Sequence, residues 1–137
     1  HPRVRRQRQM CIRDRYYTIY QNANEYPALI PQVYLHYDPH ARTWRGSNVV
    51  YTHQRMDFLM LLPNGIRVVI EIDGKQHYSE GDISSPKLYA EMMVDTRKLQ
   101  LKGYEVYRFG GYEFMDSQQM KQTVRDFFEM LFKKYSI

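Results

Sequence analysis

A chain of 137 residues can build one compact domain with its own core and is too short for two of ordinary size. With 43% hydrophobic and 26% charged residues it has a globular composition. No apolar run approaches the ~20 residues of a membrane span and none resembles a signal-peptide core, so a soluble, cytoplasmic domain is expected.

The net charge of +5 does not mark a nucleic-acid binder, because of where it sits. Residues 1–15 carry six arginines against one aspartate, and the remaining 14 basic and 14 acidic residues cancel. This opening shows no helical or strand periodicity and resembles a translated sequencing-adapter read-through. The rival reading is a native basic arm that binds phosphates. The expectation is therefore a non-native or disordered tail over 1–15 and a single domain over 16–137, with the natural protein continuing upstream. The only cysteine, Cys11, lies in the opening. Any metal in the body must be held by oxygen or imidazole ligands.

From Tyr16 to Ala28 the chain is tyrosine-rich and weakly helical until Pro27, which predicts a loose helix. Gln32 to Tyr37 alternates as a strand and Asp38-Pro39 stops it. Residues 40–53 read as a polar loop with a short strand at Val49 to Thr52. Two strong strands follow, Gln54 to Leu62 and Ile66 to Asp73, joined by Pro63-Asn64-Gly65. A three-residue loop, with Gly65 left-handed after a type I turn, pairs Leu62 with Ile66. That register puts Leu59 opposite Val69, Asp57 opposite Glu71 and Arg55 opposite Asp73. A two-residue turn would send the two acids to opposite faces.

Residues 74–84 read as an ordered loop, and Ser85-Pro86 opens a helix that runs to about Lys102 and stops at Gly103. Tyr104 to Phe109 is a further strand. Asp116 with Gln119 reads as a capping box, and the stripe Met120, Val124, Phe127, Phe128, Leu131 and Tyr135 gives the final helix. The order predicts an α/β (α+β) fold in which a mixed sheet of about four strands is flanked by helices, with a helical crossover into the last strand.

Opposed carboxylates on a strand pair repel unless something positive lies between them. A Mg²⁺ ion would answer that repulsion and create a site for polarising a phosphate and activating water. The alternative is that the acids face solvent or pair with Arg55 and Arg67. Asp73 shares the Glu71 face, as a catalytic group or as the ion-pair partner of Arg55. His77 is a candidate general base or a loop hydrogen-bonder, and Lys75 a phosphate-charge partner or a solvated side chain. Asp95 falls in the helical stripe Leu88, Met92, Asp95, Leu99, where it would orient His77 or sit at the stripe's edge. Arg97, Lys98, Lys102 and Arg108 are the cations that could gather near one sheet end to meet nucleic acid.

Arg55-Met56-Asp57-Phe58, then Val69-Ile70-Glu71-Ile72-Asp73-Gly74-Lys75-Gln76-His77-Tyr78, then Asp95 to Phe109 resemble the PD-(D/E)XK nuclease superfamily, with its restriction-endonuclease-like core. The likeness is nearest to the very short patch repair endonuclease branch, and Leu29 to Pro39 with Phe109 to Phe114 resembles a domain found with AbiJ-type abortive-infection proteins of bacterial phage defence. It spans about residues 25–137. The resemblance implies that Asp57 and Glu71 hold Mg²⁺ (or Mn²⁺). It places Asp73 where the superfamily's usual lysine stands, fits His77 to a histidine near the metal with Lys75 as the other candidate base, and matches Glu25 to an acid on the first helix. Lys75, Arg97, Lys98 and Arg108 become candidate nucleic-acid contacts. The implied activity is metal-dependent hydrolysis of a phosphodiester, in DNA more readily than RNA, in a defence or repair setting. The alternative is a catalytically inactive nuclease-like module that recognises nucleic acid or a phage component for a partner effector domain.

Overall fold

The computed structural model describes residues 2–21, 25–34, 55–74, 79–80 and 83–137. Its elements are α1 (Pro2–Ile19), β1 (Leu29–Tyr34), β2 (Arg55–Leu61), β3 (Arg67–Asp73), the short β4 (Ser79–Glu80) and β5 (Ile83–Ser84), α2 (Pro86–Leu101), β6 (Tyr104–Gly110) and α3 (Ser117–Lys134). Four strands form one mixed sheet in the order β1-β2-β3-β6. The first three are antiparallel neighbours, and β6 returns parallel to β3 after the α2 crossover.

The β2–β3 connection sets the register. Leu62 N–H donates to the Ile66 carbonyl at 2.8 Å, and the ladder pairs Leu59 with Val69 and Met60 with Val68, as a three-residue loop requires. The turn differs in conformation: Asn64 (φ 65°) and Gly65 (φ 75°) are both left-handed, where a type I turn would have left Asn64 at negative φ. Asparagine tolerates that region better than most side chains, so the register holds through a different turn.

Two apolar layers sandwich the sheet. Phe58, Met60, Leu62, Val68, Ile70 and Ile72 join Ile12, Tyr16 and Tyr20 from the α1 side with Val124, Phe128, Leu131 and Phe132 of α3. A smaller cluster, Met56, Val69, Leu99 and Tyr104, closes the α2 side. Tyr16 packs its ring 4.6 Å from Phe128 and donates its hydroxyl to the Pro27 carbonyl, tying α1 to the start of β1. Burial pushes the Tyr16 phenol well above its ordinary range.

The opening is not a separate tail in this fold. It begins α1, and Gln9, Ile12, Tyr16 and Tyr20 bury one face of it at helical spacing. Divided at residue 15, the stripe is cut in two, and Gln9 and Ile12 alone leave the opening without a visible period. The helix also stops at Ile19, well short of Ala28, and β1 starts at Leu29 rather than Gln32. The strand expected at Val49 to Thr52 lies outside the described residues.

The helix starts and stops follow the sequence, although Asp116 caps the last helix through Gln118 and the reciprocal capping box with Gln119 does not form. Ser85 Oγ accepts from Leu88 N–H at 3.2 Å, Gly103 takes φ 96° beyond α2, and Asp116 accepts from Gln118 N–H to open α3.

Candidate functional site

The ladders on both sides of β2 are interrupted at Asp57. Toward β3 the last pair in register is Phe58 with Ile70, and toward β1 the partners run Pro31 with Phe58 and then Val33 with Met56. Gln32, the residue skipped, has φ 53°, a left-handed conformation inside a strand. Side chains take over from the backbone at this break. Ile72 N–H donates to Asp57 Oδ2 at 2.9 Å, and Asp57 N–H points to Glu71 Oε1 at 3.4 Å. Gln9 of α1 donates its amide to Asp57 Oδ1 at 2.7 Å and accepts from the Gln32 amide at 3.1 Å.

The result is an acid pair enclosed by protein, with Asp57 0% and Glu71 7% exposed. Burial holds the Glu71 carboxyl well above the usual carboxylate range, and the Asp57 charge and a carboxyl–carboxyl hydrogen bond push it the same way. The Arg108 charge pulls it back only in part. Glu71 is thus pushed toward its protonated form. Asp57 carries N–H donors on both oxygens.

Asp73 is held differently. Arg108, across the parallel ladder from Glu71, reaches along β6 to place Nη1 2.7 Å from Asp73 Oδ1. The same guanidinium donates from Nε to Thr96 Oγ1 and from Nη2 to the Met92 carbonyl on α2. Among the described residues the partner of Asp73 is Arg108; the side chain of Arg55, the expected partner, lies outside the described residues. Arg108, expected as a nucleic-acid contact, is bound within the protein. Arg108→Met strands a carboxylate that is nearly buried, and should cost about 2–4 kcal/mol. A urea midpoint unchanged from wild type would contradict that role.

The remaining expected residues divide plainly. His77 and Lys75 lie outside the described residues. Arg97 is exposed and Lys98 half-buried on α2, and neither touches the acid pair through a described contact. Asp95 is exposed, so it sits at the edge of its stripe, and Thr96 faces Arg108 instead. Glu25 is exposed beyond the end of α1. Gln9 and Thr96 were not singled out by the sequence. Thr96 is one position from Asp95 and needed only a rotated stripe, whereas Gln9 needed the opening and Tyr16 to be read as one helix.

Gly111 is buried against this end of the sheet, where a Cβ would collide with the Arg8 guanidinium and come within 3.3 Å of the Asp73 carbonyl. Among the described residues no group of three His, Cys, Asp or Glu side chains is arranged to hold a metal, so a cation would rest on the Asp57 and Glu71 pair. No helix among the described residues is long and apolar enough to cross a membrane. Compared with protein-family models, curated proteins and solved structures, the chain matches none.

Proposed function

We propose that the chain is a metal-dependent nuclease domain that hydrolyses phosphodiester bonds, in DNA ahead of RNA, with Asp57 and Glu71 at its centre. The observation that carries this reading is the buried acid pair at a double break in the sheet. Two carboxylates in contact are costly, and a fold that interrupts two ladders to hold them is arranged around their charge. The donor set fits Mg²⁺ or Mn²⁺, since such ions are commonly held by one or two carboxylates with water and substrate phosphate completing the shell. Asp57 and Glu71 would hold the cation, which when bound supplies a Lewis acid for a phosphate oxygen and lowers the pKa of water.

The protein's own part is to fix the two carboxylates and exclude bulk water. Hydrolysis adds a water oxygen to phosphorus, breaks the P–O bond to the leaving oxygen and moves the water's proton to a base. His77 is the resemblance's candidate for that base, with Lys75 behind it. The cytoplasmic setting in bacterial defence or repair rests on the resemblance and the sequence alone.

One observation favours a second reading, a catalytically inactive module that recognises nucleic acid or a phage component for a partner effector. Both Asp57 oxygens are engaged by N–H donors and Asp73 is tied to Arg108, so these two acids are satisfied without a cation.

Cleavage separates the two. Incubated with plasmid, single-stranded DNA or RNA in Mg²⁺ or Mn²⁺, the protein should cut, and Asp57→Ala should lower the rate by at least ~10²-fold. No cleavage, or cleavage unchanged in Asp57→Ala, removes the enzyme reading.

A further inference from the structure

We propose that the cavity beside Asp73, at the carboxyl ends of β3 and β6, is a site for an unstacked nucleobase, with the Tyr89 ring as its stacking platform. The inference rests on the nuclease reading of the acid pair and names what that site would read. The cavity measures about 590 Å³, and Asp73, Ser84, Ser85, Pro86, Tyr89 and Met92 line it among the described residues. Gly110 forms a further wall where no side chain intrudes.

Three features point to a base. The walls are a proline ring, a thioether chain and an aromatic ring, an almost wholly apolar lining that suits the face of a flat heterocycle. Tyr89 is 52% exposed on the first turns of α2, so its ring is accessible without unfolding anything. The third feature is position. Asp73 lies two residues beyond Glu71 on the same strand, a rise of ~7 Å, which places the cavity within one nucleotide's span of a phosphate at the acid pair. Arg108 compensates the Asp73 charge, so the wall nearest that phosphate does not repel it. A second protein copy would also fit an apolar recess, but nothing in that occupant calls for the cavity to adjoin the acids.

The test uses the whole chain and a single-stranded oligodeoxynucleotide carrying one fluorescent aminopurine, with Ca²⁺ in place of Mg²⁺. Wild type and Tyr89→Phe should bind and change the probe's emission. Tyr89→Ala should lose ~10-fold or more in affinity along with the emission change. An oligonucleotide with an abasic nucleotide at that position should bind wild type as weakly as the intact one binds Tyr89→Ala. If Tyr89→Ala binds and responds as wild type does, the base site is wrong, and plasmid cleavage measured alongside reports separately whether the acid pair is catalytic. Concentration-dependent self-association that Tyr89→Ala abolishes would assign the cavity to a second copy and overturn the proposal. Absence of any oligonucleotide binding by wild type would overturn it too. Because Tyr89 is half exposed, the variants should fold, and an unchanged melting temperature verifies it.

Discussion

Glu71→Gln should make the protein more stable at alkaline pH, although it removes a buried titratable residue. The carboxyl is 7% exposed and its pKa is raised first by burial and then by Asp57, with Arg108 opposing. A carboxyl whose folded pKa exceeds its unfolded value of about 4.3 binds an extra proton in the folded state. Below the unfolded pKa both states are protonated and this penalty is absent. Between the two pKa values the unfolded chain releases its proton and the folded one does not, so stability falls as pH rises, and above the folded pKa the loss is complete. Glutamine keeps the shape and can donate to Asp57 without titrating. The variant should melt higher than wild type at about pH 8, and the gap should close toward about pH 4. An equal gap at both pH values, or a lower melting point at pH 8, would show that Glu71 is not the strained acid.

The largest loss of stability should come from the far side of the sheet. Phe128 is 1% exposed and its ring meets Tyr16 at 4.6 Å, Phe127 at 5.0 Å and Phe132 at 5.9 Å. Truncation removes its transfer energy and leaves a cavity under α1, so Phe128→Ala should cost about 3–5 kcal/mol. The urea midpoint should fall with an unchanged slope. Met130, two residues along the same helix and 72% exposed, supplies the control, since Met130→Ala should stay within ~0.5 kcal/mol of wild type. Comparable losses in the two variants would mean that α3 does not pack as described.

The four-strand mixed sheet and the two later helices were legible in the sequence because their signals are local. Alternation in β2 and β3, the Pro63-Asn64-Gly65 loop, the Ser85-Pro86 start and the Gly103 stop each act within a few residues. The register followed from loop length alone, and with it the approach of Asp57 to Glu71. What sequence could not supply is the break at Asp57, which depends on a left-handed Gln32 and on amides from two other elements. The partner of Asp73 was missed for a related reason. In a parallel ladder Arg108 reaches diagonally along the strand, and only the crossover fixes which residue it meets. α1 was hidden because its face joins apolar groups from the opening to tyrosines that belong, by composition, to the next segment.

The central claim is that Asp57 and Glu71 together hold a divalent cation, and calorimetric titration of Mn²⁺ into the wild-type chain, Asp57→Asn and Glu71→Gln tests it without needing a substrate. Wild type should show one saturable site, with proton release as Glu71 ionises, and both variants should lose it. No saturable binding by wild type, or the same affinity in all three proteins, would contradict the account.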